Sequence, residues 1–229
     1  LITHLDLQAQ VAHARPADVP YYTQPIEMNE VHIVRSLQAR QLEETNLFFG
    51  RVRVTQQVIG FRRRQQFDHS LLSEEPLDLP PHSFETQSLW FAVTEEIGQT
   101  LAAKGLDFAG GLHALEHALV GLLPLYAMCD RNDIGGLSTP RHTDTDHPEI
   151  FVYDGYPGGV GITKAGFELV EGLWQRTWET IHDCPCESGC PSCIQSPKCG
   201  NNNESLDKEA AVLILEDLLG VKGDDKDCD

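Results

Sequence analysis

Basic residues are scarce in this chain of 229 residues, which has 17 Lys and Arg against 35 Asp and Glu and a formal net charge of −18. Because phosphate affinity is largely an effect of cations, this balance argues against a general nucleic-acid clamp. The deficit is uneven, since residues 1–64 hold eight Arg and six acidic residues, whereas residues 65–229 hold nine basic and 29 acidic ones. Any contact with nucleic acid is therefore predicted to be local.

Several sequence signals are also missing. We find no signal peptide, no apolar run long enough for a bilayer, no internal repeat, and neither G-x-G-x-x-G nor G-x-x-x-x-G-K-S/T. With 41% apolar residues, the chain is expected to be a soluble globular protein without a membrane partner. Its first residue is Leu rather than Met, so we also expect a piece of something longer.

The first ninety residues predict β structure. Residues 31–34, 47–59 and 88–93 are rich in β-branched and aromatic side chains with partial alternation, and Gly50 is a candidate bulge. The proline-rich, acidic stretch 71–83 is predicted to be a surface loop. We expect an antiparallel barrel or sheet.

In the second half of the chain the apolar residues recur with the spacing of helices rather than strands. Helical spacing covers 95–104, 108–129, 161–182 and 206–219, with Pro124 as a predicted kink, and 150–153 is a short strand. The predicted fold class is α+β, with an N-terminal β-rich subdomain (1–94), a mainly helical subdomain with a four-cysteine zinc knot (95–219) and a disordered acidic tail (220–229).

Five of the seven cysteines lie within sixteen residues, CPCESGCPSCIQSPKC, in the spacing C-x-C-x3-C-x2-C-x5-C. Short loops between thiolates let several sulfurs converge on one ion, and the intervening Gly and Pro residues supply tight turns. Zinc is the favoured interpretation; an iron-sulfur cluster, disulfides or free thiols are the alternatives. A site built only of sulfur is usually structural.

Spacing alone does not choose four ligands among the five cysteines. One set is Cys186, Cys190, Cys193 and Cys199, and a tighter one replaces Cys199 with Cys184. Cys190 and Cys193 belong to both sets. The remaining cysteines, Cys129 and Cys228, are not expected to bind the metal.

Four other patterns compete with the cysteines. His113-Ala-Leu-Glu116-His117 matches H-x-x-E-H, in which two histidines bind zinc and the glutamate is the base of a peptidase; a core or interface histidine is the alternative. The stretch 150–166, IFVYDGYPGGVGITKAG, is interpreted as a packed turn. Its alternatives are a turn whose backbone amides bind a phosphate of a DNA backbone and a turn that contacts a neighbouring domain. The cluster Asp144, Asp146, His147 and Glu149 fits a divalent ion or, preferably, a polar loop.

The fourth pattern is cationic. Arg62, Arg63 and Arg64 follow Phe61, and Arg51 and Arg53 precede them along the same predicted strand. The arginines explain the pattern about equally well in two ways. They can keep an exposed edge strand from pairing with another strand, or they can contact nucleic acid.

Three segments together carry a family resemblance. HALEHALVGLLPLYAMCDRNDIGG, FVYDGYPGGVGI and CPCESGCPSCIQSPKCGNNNESLDKEAA, in this order, resemble the carboxy-terminal zinc-binding (DUF1998/MZB-type) region of mitomycin repair factor A (MrfA)-like superfamily 2 DNA helicases, including their actinobacterial SftH-like branch. The resemblance extends over residues 1–219.

The resemblance implies an accessory domain that follows two RecA-like motor domains in an ATP-dependent, 3′ to 5′ DNA translocase of DNA repair, cytoplasmic and nucleoid-associated. The family pattern falls on Cys184, Cys186, Cys190 and Cys193 as ligands of a structural Zn2+, with Cys199 as the alternative fourth ligand. Packing on the motor and guiding of single-stranded DNA are the implied tasks, with Arg62, Arg63, Arg64 and Lys198 as candidate DNA contacts.

The chain itself contains no D-E-x-H and no phosphate-binding loop. ATP and Mg2+ are therefore assigned to the parent motor, and the fragment alone is predicted to lack catalysis. Two other functions stay open, a zinc peptidase of H-x-x-E-H type and a pure protein-docking module.

Overall fold

The computed structural model describes residues 1–42 and 45–221, whose strands and helices confirm the predicted α+β class. These residues divide into two units, one of Leu1–Glu27 with Val58–Pro80, the other of Met28–Gln57 with the chain from Pro81 on. The predicted boundary at residue 94 lies inside the second unit, because strands before it and helices after it enter one core. That domain division stays a prediction, and most of the predicted tail lies outside the described residues.

The first unit is built from strands. Strand β1 (Ile2–Asp6) pairs antiparallel with β2 (Val11–Ala14) in a two-stranded sheet. Two long strands, β3 (Tyr21–Gln41) and β4 (Asn46–Gln65), contribute residues to both units. The end of β4 pairs antiparallel with β5 (Leu71–Pro76).

Strand β5 shows that the predicted loop over 71–83 is wrong in its first half. Its register places Glu74 opposite Arg62 on β4, and their side chains form an ion pair of 2.7 Å. Arg63 pairs with Glu75 at 3.1 Å. Opposite charges across the strand pair favour the strand here, and the loop is confined to residues 77–81.

The sheet of the second unit has the order β3-β4-β6-β8-β7, with β6 at His82–Ala92, β7 at Ile134–Thr139 and β8 at Glu149–Asp154. The pairs β4–β6, β6–β8 and β7–β8 are antiparallel. Strand β8 is buried throughout, since Ile150 and Val152 enter the main core while Phe151 and Tyr153 enter a second apolar cluster. This alternation is the period-two pattern of a strand covered on both faces.

The pairing of β4 with β6 has no bulge at Gly50, because the register runs without a shift from Leu47 to Gln56. A Cβ at this position would instead collide with the backbone carbonyl oxygen of Arg35 on β3. Close approach of the two strands explains the glycine.

Within the described residues, six α-helices cover the main core. They are α1 (Glu95–Ala103), α2 (Phe108–Leu122), α3 (Pro124–Ala127), α4 (Ile162–Glu168), α5 (Val170–His182) and α6 (Lys208–Leu218). Pro124, predicted to kink a single helix over 108–129, instead begins the separate short helix α3. Trp174 of α5 packs edge-on against Phe91 of β6, with ring centroids 4.9 Å apart.

Helix α2 is the centre of this layer. It packs against α5, α6 and β7, and ten of its residues are buried. By length and composition, Phe108–Ala127 could cross a membrane, contrary to the sequence expectation, but 61% of that window is buried inside the fold. Its apolar character is thus accounted for by core packing.

Candidate metal centre

The clustered cysteines lie in the connection between α5 and α6. Gly189 has a φ of +106°, and a Cβ at this position would meet the side chain of Ile194, so the turn requires glycine. The backbone amides of Cys193, Ile194 and Gln195 all donate to the carbonyl oxygen of Cys190, at 3.0 to 3.2 Å. Together these turns fold the C-x2-C segment into a tight knuckle.

Four thiols converge at this knuckle, those of Cys184, Cys186, Cys190 and Cys193, and their Sγ atoms all lie within 4.8 Å of one another. The Cys184–Cys190 distance is 3.6 Å, the Cys186–Cys193 distance 3.5 Å and the Cys190–Cys193 distance 3.7 Å. Tetrahedral zinc with Zn–S bonds of about 2.3 Å requires neighbouring sulfurs about 3.8 Å apart. The donor set and its spacing therefore fit Zn2+.

The thiols differ in acidity. A hydrogen bond from the Ser192 backbone lowers the pKa of Cys190 to about 7, whereas burial raises the pKa of Cys193 to about 12. Cys190 thus loses its proton more readily than Cys193, and both have to be thiolates when a metal binds. Metal binding at this site should release protons.

The knuckle is joined to the hydrophobic core and to helix α6. Cys193 is only 8% exposed and belongs to the main core with Ile194. Lys208, the first residue of α6, donates from Nζ to the carbonyl oxygens of Cys184 at 2.6 Å and Cys186 at 2.7 Å. Sequence reasoning missed Lys208, because nothing local marks a lysine that reaches back over 22 residues.

The fifth clustered cysteine, Cys199, lies outside this group. Its Sγ is 3.6 Å from Nε2 of His113 on α2, and with His117 it forms a separate cluster. The structure thus brings together the set that includes Cys184 and not the set that includes Cys199. Cys129 belongs to neither cluster, and Cys228 lies outside the described residues.

The H-x-x-E-H residues lie on α2, but Glu116 is packed rather than presented to a substrate. The residue is 8% exposed, its side chain fills the space beside Gly136 of β7, and burial raises the pKa of its carboxyl to about 8. Burial also lowers the pKa of His117 to about 4 and that of His113. A protonated, enclosed glutamate does not suit the base of a peptidase.

The glycine-rich turn after β8 is closed by a protein carboxylate. Asp154, fully buried, accepts hydrogen bonds from the backbone amides of Val160, Gly161 and Thr163 at 2.6 to 2.8 Å. These are the amides at the start of α4 that a phosphate would need. The structure favours the packed turn over the phosphate contact.

The acidic cluster is a polar loop whose side chains are engaged separately. Asp144 accepts from the backbone amide of Ile33 at 2.7 Å, Asp146 pairs with Arg141, and Glu149 lies 3.5 Å from the buried His142. These contacts account for the three acidic residues without a cation, and His147 is exposed.

The four candidate DNA contacts all have partners in the fold. Arg62 and Arg63 form the ion pairs of β5, and Arg64 donates to Gln24 and to the carbonyl oxygen of His69. Lys198 donates from Nζ to the carbonyl oxygens of Arg131 and Ile134. A role in DNA binding stays a prediction for each of them.

Residues 115–194 match the family model of the MrfA Zn-binding (MZB) domain. The protein MJ1572.1 of Methanocaldococcus jannaschii is 41% identical over 111 residues, which cover 47% of this chain and 99% of the archaeal protein. The ATP-dependent helicase YprA of Bacillus subtilis is 29% identical over 221 residues, covering 95% of this chain and 28% of the helicase.

Among solved structures, the DUF1998 helicase MrfA bound to DNA aligns with a TM-score of 0.64 and 25% identity. That alignment covers 94% of this chain and 28% of the MrfA chain. The chain therefore spans little more than a quarter of the length of the helicases it resembles.

Proposed function

The chain belongs to the family of MrfA Zn-binding domains, and we propose that it is the carboxy-terminal accessory domain of an ATP-dependent 3′ to 5′ DNA helicase of DNA repair. In this proposal a structural zinc shapes the domain, which packs against RecA-like motor domains of the same polypeptide and guides single-stranded DNA. ATP and Mg2+ act in the motor domains, since this sequence has no phosphate-binding loop.

The observation that carries the proposal is the closed cage of four thiols at zinc-binding distances within an MZB domain. Cys184, Cys186, Cys190 and Cys193 would supply all four positions of a tetrahedral ion, and such a site has no place for a substrate or an activated water. The ion would neutralise the thiolates and fix the knuckle against the core, which is a contribution to folding rather than to a reaction.

The guiding role is supported by the cationic strand of the first unit. Arg62, Arg63 and Arg64 are consecutive on β4, and Glu74 and Glu75 on β5 neutralise two of them. A DNA phosphate would have to compete with these carboxylates. Contacts of this kind recognise the backbone and not the base sequence.

Binding to a fluorescent single-stranded oligonucleotide tests the guiding role, with the motor domains of the parent polypeptide present. Arg62→Gln with Arg63→Gln should weaken binding and reduce the slope of log K against log salt by about 0.7 for each phosphate that the protein no longer neutralises. Glu74→Gln with Glu75→Gln, which removes the competing carboxylates, should strengthen binding.

If the unaltered protein, the arginine double variant and the glutamate double variant have equal affinity and equal salt slope, these arginines do not contact DNA. No binding at low salt by the intact protein would replace the guiding role with pure protein docking. Neither result affects the proposed zinc site, which is tested separately by metal content.

A further inference from the structure

A second group of metal-binding side chains lies outside the four-cysteine cage. His113 and His117 are one turn apart on α2, and Cys199 approaches them from the connection before α6. One ligand atom from each residue lies within 4.8 Å of the other two. The distance of 3.6 Å between His113 Nε2 and Cys199 Sγ matches the separation of about 3.6 Å expected for two ligands of one tetrahedral zinc ion.

The orientation of His117 is an independent sign of a ligand. Its Nδ1 lies 2.9 Å from the carbonyl oxygen of Ile194, so Nδ1 carries the proton and donates it there. Nε2 is then left with its lone pair. Histidines that bind metals are commonly held in this way, with the other ring nitrogen donating to a backbone carbonyl.

The loop that carries Cys199 is held in shape by Asn203. Its Oδ1 accepts from the Ser196 amide at 2.7 Å, and its Nδ2 donates to the Ser196 carbonyl at 3.1 Å. Asn202 and Asn203 both have positive φ, of 57° and 59°, a conformation that asparagine tolerates better than most residues. These hydrogen bonds therefore hold the thiol of Cys199 in position independently of any bound metal.

We propose that His113, His117 and Cys199 bind a second zinc ion, which fastens the loop 195–205 to helix α2. A donor set of two imidazoles and one thiolate suits zinc better than magnesium or calcium. The carboxyl group of Glu116, with an oxygen 4.0 Å from Nε2 of His117, is placed to complete the coordination directly or through a water once it has lost its proton to solvent. Because Glu116 is packed against β7, this ion has a structural and not a hydrolytic role.

The two metal sites are linked through Ile194. It follows Cys193 of the cage directly, and its carbonyl oxygen holds His117 of the second site. The two sites thus share a backbone segment, although each has its own ligands.

The number of zinc ions per chain, measured by inductively coupled plasma mass spectrometry, tests the proposal. The unaltered protein should hold two zinc ions, Cys199→Ser one, and the control Cys129→Ser two, since Cys129 belongs to neither cluster. One zinc in the unaltered protein and an unchanged single zinc in Cys199→Ser would overturn the second site.

Thiol alkylation of the unaltered chain gives an answer that does not depend on the folding of a variant. Cys199 should be protected from N-ethylmaleimide in the zinc-loaded protein and become modified after a chelator is added, as read by peptide mapping. Equal modification of Cys199 with and without chelator would contradict the proposal. Loss of zinc from Cys190→Ser with Cys193→Ser tests the cage, so the two sites can fail separately.

Discussion

Lys208 adds polar contacts to the apolar packing that joins the cysteine knuckle to helix α6. Its ammonium donates to the carbonyl oxygens of Cys184 and Cys186, which are half of the four-thiol set. Hydrogen bonds from a charged donor are stronger than neutral ones, and here they fix the backbone on which two ligands are mounted. A lysine that binds no metal thus becomes part of the metal site.

Substitution Lys208→Met keeps most of the aliphatic stem and removes both hydrogen bonds. We expect zinc to be transferred faster to a chromogenic chelator and the free energy of unfolding to fall by about 2 kcal/mol, because two carbonyl groups lose a charged donor. Lys164→Met, at an exposed position of α4, is the matched control and should behave as the unaltered protein. Identical zinc transfer from both variants would show that Lys208 does not support the site.

Glu149 is the second residue with a measurable consequence. It is 2% exposed beside the equally buried His142, and burial raises the pKa of its carboxyl from 4.5 to about 7. The folded protein therefore holds this proton more tightly than the unfolded chain does. The resulting stability is fully present below pH 4.5 and is lost as the pH rises through 7.

Glu149→Gln should remove this loss. At pH 8 the variant is expected to be more stable than the unaltered protein by on the order of 2 kcal/mol, and at about pH 4.5 the two should have similar stability. Urea unfolding at a series of pH values measures the difference, with Glu168→Gln at an exposed position as the control. A difference that stays constant across this pH range would show that Glu149 does not titrate there.

At the scale of elements, the packing of α2 against α6 positions the loop that carries all five clustered cysteines. Gly111 of α2 lies at this contact, where an added Cβ would come within 2.6 Å of the Ala210 Cβ and 3.0 Å of Ile214. Gly121, in the same helix, faces only the flexible end of the Arg131 side chain, at 3.3 Å. The two glycines thus offer a test of helix packing within one element.

Gly111→Ala should force α2 and α6 apart and lower the free energy of unfolding by about 1–3 kcal/mol, as overpacking does in other cores. Gly121→Ala should be neutral or stabilising by up to about 1 kcal/mol, because alanine has the higher helix propensity. Denaturant midpoints of the two variants give the comparison. Stabilisation by Gly111→Ala would contradict the close packing of these helices.

Local patterns predicted most elements but not their partners. The apolar periodicity placed both ends of α1 and α6 within two residues, whereas the predicted helix 108–129 is divided into α2 and α3 at the kink expected for Pro124, and the predicted helix 161–182 into α4 and α5. Strand β5 was missed because its acidic residues form a strand only through pairing with arginines of β4. The position of β8 between β6 and β7 is equally a matter of distant pairing, which no single segment encodes.

At the scale of the whole molecule, the two metal sites differ in how much of each a local sequence pattern predicts. The central knuckle of Cys190 and Cys193 follows from the C-x2-C spacing, whereas the choice between Cys184 and Cys199 needed the family resemblance. Cys199 pairs with a histidine 86 residues earlier in the sequence, so its spacing from the other cysteines was uninformative. The H-x-x-E-H motif indicated the histidines, but its usual peptidase meaning did not fit a buried glutamate.

The domain as a whole is therefore proposed to be a zinc-shaped accessory to a helicase motor, and its coordination chemistry is the most direct test. X-ray absorption at the zinc edge of the Cys199→Ser chain, which lacks the second site, isolates the ion in the cage. We predict four sulfur neighbours at about 2.3 Å and no nitrogen neighbours. A folded protein whose zinc has fewer than four sulfur neighbours, or which contains no zinc, would contradict the account.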